Sequence, residues 1–157
     1  MQIFRAGLLE GRSIALQGPV PAPVKGLLEA LGARVHELTP DHHSVPPLDA
    51  LVCVESGDHE DLLAQTWTAI SAVTREAFIP AKAGRIVLLA SREDAGVVKA
   101  ALENLARTLS VEWARHGITT TAIAPGPSTT DEELATVIAY LCSEAGAYFS
   151  GCRFDVR

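Results

Sequence analysis

The sequence predicts an α/β fold, a doubly wound parallel sheet of about six strands with helices on both faces. Three observations carry this. Short apolar runs alternate with longer stretches of helical periodicity, the order that βαβ units produce. The run 50–54 is continuously apolar, as in a strand covered on both faces. Gly32 and Gly117 stand between a helical stretch and the next strand, where a C-terminal cap is expected.

Taken in order, Ser13-Ile14-Ala15-Leu16-Gln17 reads as a short buried strand. Residues 23–31 form a helix with Leu27, Leu28 and Leu31 as its apolar stripe. Residues 33–38 alternate and read as a strand with one wetter face. Pro40, Pro46 and Pro47 make 39–48 a loop. The strand 50–54 precedes a long helix, 60–78, with Leu62, Leu63, Trp67, Ile70, Val73 and Ala77 at helical spacing. Then come the strand 85–90, a helix over 94–116, a strand over 118–123, a shorter helix over 131–142 and a last strand over 152–156. The expected strand order is the second, the first, then the later four. The second strand is then an edge, where Arg34, His36 and Glu37 discourage further pairing. Residues 1–157 form one domain.

Composition narrows the function classes. Apolar residues are 48% and charged residues 20%, a globular balance. A net charge of −6 argues against nucleic acid or an anionic membrane as partner. No apolar run is long enough to span a bilayer, and the first residues lack a signal-peptide shape. Cys53, Cys142 and Cys152 show no C-x-x-C spacing and read as three reduced thiols of a cytoplasmic protein. Asp41-His42-His43 lacks a second spaced cluster and reads as solvated, so no metal is expected.

Several segments resemble the short-chain dehydrogenase/reductase family, of the 3-oxoacyl reductase type. Gly84-Arg85-Ile86-Val87-Leu88-Leu89-Ala90-Ser91 is similar to the strand ending in the family's catalytic serine. Residues 99–109, Lys-Ala-Ala-Leu-Glu-Asn-Leu-Ala-Arg-Thr-Leu, closely resemble the helix after its catalytic tyrosine. Ala124-Pro125-Gly126-Pro127 looks like its Pro-Gly turn beside the nicotinamide. The resemblance implies a Rossmann-like domain and an NAD- or NADP-dependent oxidoreductase ancestry.

The departures from the pattern fall on the chemistry. The family's Tyr-x-x-x-Lys sets a phenol and an ammonium one helical turn apart. Here Lys99 is kept and the tyrosine position is Ala95, whose methyl cannot move a proton. The asparagine position of the long helix is Thr66. Ser91 keeps the serine position, but no histidine or acid is spaced to activate it as a nucleophile. In the glycine-rich phosphate turn only Gly18 survives, among Pro19, Pro21 and Pro23, which have no N–H to offer. Glu55 brings negative charge towards the place of the dinucleotide. Two pieces of the family's chain are missing, one between Leu38 and Asp49, the other between Pro127 and Asp131, where the substrate lid belongs.

Ser91, Lys99, Gly18, Pro125 and Gly126 thus read as vestiges, with no confident catalytic or cofactor residue. The expected function is a non-catalytic homologue serving as a structural or regulatory subunit, assembled with itself or with an active paralogue. No cofactor is expected. The alternatives are a residual oxidoreductase binding NAD or NADP weakly, and a small-ligand or nucleotide sensor. The helix around Lys99 is apolar on more than one side, which predicts burial against another subunit. In the family this helix and the preceding long one form the main dimer interface. The resemblance places Trp67, Ile70, Val73, Phe78, Leu102, Leu105, Leu109 and Trp113 there.

Overall fold

The computed structural model describes residues 3–39, 45–55, 59–93 and 96–157, without the side chains of residues 59–63. The elements in chain order are β1 (Ser13–Gln17), α1 (Ala22–Ala30), β2 (Arg34–Leu38), β3 (Ala50–Val54), α2 (His59–Val73), a π-helical turn (Thr74–Phe78), α3 (Ile79–Ala81), β4 (Gly84–Leu89), α4 (Gly96–Glu112), β5 (Ile118–Pro125), α5 (Asp131–Cys142) and β6 (Arg153–Val156). Short 3-10 turns follow α4 and α5. All strand pairs are parallel and the order is β2-β1-β3-β4-β5-β6. This is the expected topology, with β2 at one edge.

Each face of the sheet has its own apolar layer. Ile14, Leu16, Val52, Val87 and Ile123 point to the face covered by α1 and α5, where Val24, Leu28, Leu134 and Ile138 meet them. Ala15, Leu51, Cys53, Ile86, Leu88 and Ala122 point to the other face, under α2 and α4. The alternation along each strand divides the residues between the two layers. Helices on both faces explain why β3 is buried at every position.

The long helix departs from the expected regular course. Pro80 has no N–H for the carbonyl four residues back, and its ring crowds that carbonyl. The turn before it widens, and the Ile79 amide donates to the Thr74 carbonyl, five residues back. Phe78, fully buried, closes this turn against Gly84: a Cβ on Gly84 would lie 2.3 Å from the Phe78 ring. Lys82 then turns the chain in a left-handed conformation, φ 53°. The helix expected over 94–116 ends at Glu112, and a 3-10 turn carries the chain to Gly117 at φ 68°.

The residues expected at an interface divide. Ile70, Val73, Phe78, Leu102 and Leu109 are buried within the chain itself, in the layer between α2, α4 and the sheet. That face of the sheet is broad and apolar, and these two helices cover it, so their strongest apolar positions turn inward. Leu105 and Trp113 are half-buried at its margin. Trp67 stays 47% exposed and stacks on Trp113, ring centroids 6.3 Å apart. Val97 and Val111, part of the apolar surface expected on more than one side of α4, face outward, 78% and 79% exposed.

The three cysteines are unbridged. Cys53 and Cys142 are buried, and burial pushes the Cys142 thiol up to about 12 and that of Cys53 higher still, helped there by the Glu55 charge. No helix among the described residues is long and apolar enough to cross a membrane.

Candidate functional site

In a doubly wound sheet the binding crevice lies outside the carboxyl ends of the strands, where the strand order reverses. Here that is the space above β1 and β3, flanked by the ends of β4 and β5. The turn after β1 begins at Gly18, with φ 86°. A Cβ there would lie 2.3 Å from the Val54 carbonyl oxygen, so the turn rests directly on the end of β3. This explains why Gly18 is glycine without reference to a ligand. Pro19, Pro21 and Pro23 carry no amide hydrogen, and the Val20 and Val24 amides are spent on the Gly18 and Pro21 carbonyls at 2.9 and 3.0 Å. The Ala22 amide alone remains as a candidate donor from residues 19–24. The first turn of α1 has no side-chain cap.

At the end of β3, Glu55 is buried, 1% exposed, and its amide donates to the Leu89 carbonyl at 2.9 Å. A carboxyl there presents acceptors where a phosphate needs donors. Thr66 is buried on α2. Ser91, half-buried after β4, accepts the Glu93 amide at 3.2 Å. Ala95 lies outside the described residues, as do Asp41, His42 and His43. Among the described residues no three histidine, cysteine or acidic groups are gathered as metal ligands.

The Lys99 ammonium donates to the Pro125 carbonyl at 2.9 Å. The helix α4 thus aims this retained lysine at the Pro-Gly turn. Arg92 had not been singled out. Its Nε donates to the Thr129 carbonyl at 2.7 Å, and it pairs with Asp131. The turn is also fastened to β6: the Gly126 amide reaches the Val156 carbonyl at 2.7 Å, and Thr129 Oγ1 donates to the same carbonyl at 2.7 Å while accepting the Gly126 amide at 2.9 Å. So the short turn between β5 and α5 is held by Lys99, Arg92 and Thr129. Thr130 then opens α5 with a capping box to Glu133. No periodic signal marks Arg92 or Thr129, because their partners are 37 and 27 residues away in the chain.

Thr129 is buried and its hydroxyl bonds on both sides. Thr129→Val keeps the shape and removes both bonds. It is expected to lower stability by about 1–3 kcal/mol, the cost of stranding buried polar partners. Urea unfolding of the two proteins measures this, and an unchanged midpoint would show that the staple does not matter.

A family model described as Enoyl-(Acyl carrier protein) reductase matches residues 79–132. That stretch contains β4, Ser91, Lys99, α4, β5 and the Pro125–Thr130 turn. The chain is 35% identical over 81 residues to Protein FixR of Bradyrhizobium diazoefficiens, covering 38% of this chain and 29% of that one. It is 26% identical over 175 residues to a tropinone reductase homolog of Arabidopsis thaliana, covering 94% and 64%. The chain thus spans less than two thirds of the length of these curated relatives. Among solved structures, a short-chain dehydrogenase/reductase of Serratia marcescens shares the fold with a TM-score of 0.73 at 20% identity, over 94% of this chain and 96% of that one.

Proposed function

We propose that the chain is a non-catalytic member of the short-chain dehydrogenase/reductase family, a structural or regulatory subunit that assembles with itself or with an active paralogue. The observation that carries this is the turn after β1. The residues present do not fit a dinucleotide pyrophosphate. Gly18 is pressed on the Val54 carbonyl, three prolines replace donors, and the Glu55 carboxyl is buried at the neighbouring strand end. A second set of observations agrees. The lysine that in the family serves the tyrosine and the nicotinamide ribose is engaged with Pro125, and its partner position is Ala95. A methyl at that position supplies no proton, so hydride chemistry would lack its acid.

The assembling surface in this reading is the outer face of α2 and α4. It carries Trp67, Val97 and Val111. Thr68 and Thr108 lie on it too, and their hydroxyls donate to the carbonyls of Ala64 and Asn104 in their own helices, at 2.8 and 2.9 Å, leaving methyl groups outward. These exposed apolar side chains support the reading of this face as an interaction surface.

A thermal titration with NAD, NADH, NADP and NADPH into the millimolar range is expected to leave the melting temperature unchanged. A ligand bound only to the native state at a hundred times its Kd adds about 2.7 kcal/mol, a shift too large to miss. A dose-dependent rise with any of the four would overturn the non-catalytic reading. It would favour instead a residual oxidoreductase using Ser91 and Lys99, or a nucleotide sensor.

A further inference from the structure

On the face opposite α2 and α4 a second feature stands apart from the strand ends. The N-terminal segment lies beside α1 and α5, and the three line a cavity of about 420 Å³ that is open to solvent on one side. Its walls include Phe4, Leu27, Leu31, Ala135 and Thr136, with Glu132 at the rim. On the α5 side the walls are the short side chains of Ala135 and Thr136. The Thr136 hydroxyl is turned back to the Glu132 carbonyl at 2.9 Å, so the wall it offers is a methyl. The volume falls in the range of small-molecule sites, roughly 300–1,000 Å³, which are mostly apolar with a few placed polar groups.

Charge selects the occupant. The first turn of α5 holds Asp131, Glu132 and Glu133. Asp131 is paired with Arg92, and Glu133 closes the capping box on Thr130. The Glu132 carboxylate, exposed beside the apolar walls, meets no cation among the described residues. An anion would face the Glu132 carboxylate, whereas a cation with an apolar body would satisfy both walls and rim. We propose that this cavity is a binding site for small organic cations, an arylalkyl or alkyl ammonium whose apolar part fills the space between α1 and α5 while its ammonium meets Glu132. The site lies across the sheet from the α2–α4 face, so an assembly through that face leaves it open. It is independent of whether the strand ends bind a dinucleotide.

The test is calorimetric titration of the whole chain with 4-phenylbutylamine, 4-phenylbutanol and 4-phenylbutyrate at neutral pH. The amine is expected to bind saturably at millimolar or lower concentration, with the carboxylate about three- to tenfold weaker, the scale of an exposed charge pair. Glu132→Gln is expected to weaken the amine about two- to fivefold and leave the alcohol unchanged. Ala30→Trp sets an indole over the cavity from an exposed position on α1, so the fold is spared, and is expected to abolish binding of all three. Equal affinity for amine and carboxylate, binding that survives Ala30→Trp, or no saturable binding by any probe would each overturn the proposal.

Discussion

Phe78→Ala is expected to destabilise the chain by about 3–5 kcal/mol, a large part of the roughly 5–15 kcal/mol that holds a domain of this size folded. Phe78 is among the largest fully buried side chains and ends the π-helical turn. Its ring occupies the space that a side chain on Gly84 would need: a Cβ there would lie 2.3–2.6 Å from three ring atoms. Gly84→Ala alone is therefore expected to cost about 1–3 kcal/mol through overpacking. The two losses should not add. Without the ring, the added methyl at 84 enters the space that Phe78→Ala empties, so the double variant should be more stable than the sum of the single effects by about 0.5–3 kcal/mol. Urea unfolding of the four proteins closes the cycle. Strict additivity would mean that Phe78 and Gly84 do not share the space the structure assigns them.

Placing a charge at Trp67 or Val111 is expected to weaken association about 30-fold or more while leaving the fold intact. Truncating an interface anchor costs about 2 kcal/mol or more, and each 1.4 kcal/mol is tenfold in affinity. Both residues are exposed, 47% and 79%, so Trp67→Glu and Val111→Glu disturb little within the subunit. Trp67 is the stronger anchor, because its stacking on Trp113 holds the ring ready for a partner. Ile70→Ala, by contrast, attacks the chain's own core and should lower the melting temperature first. Sedimentation equilibrium of the chain, alone and mixed with an active full-length family member from the same source, measures the masses and their concentration dependence. A wild-type chain that stays monomeric in both experiments would remove the basis of the subunit reading. Unchanged association in both glutamate variants would move the interface elsewhere.

Much of the fold was legible because its signals are local. The strand 13–17, the strand 50–54 and the helix 131–142 agree with the structure to the residue, since apolar runs and helical periods are properties of short windows. The strand order followed from the alternation of elements and the missing third strand. The widened turn before Pro80 was not anticipated, because the periodicity of Ile70, Val73 and Ala77 runs smoothly into it. The serine, lysine and Pro-Gly turn were picked out by residue identity. What Lys99 donates to was not, nor the Arg92 and Thr129 fastenings, whose partners lie far along the chain.

Covalent chemistry and local pattern decided two things before any folding. The prolines at 19, 21 and 23 strip donors from the turn after β1 in every conformation, since no arrangement restores an N–H to proline. The alternation of strand and helix follows from periods of two and 3.6 residues. Tertiary packing decided which apolar side chains of α2 and α4 serve the sheet and which face outward. An apolar stripe specifies a face, and only the neighbour that covers the face gives it a role: the sheet takes Ile70, Val73, Phe78, Leu102 and Leu109 and leaves Trp67, Val97 and Val111 to whatever packs outside.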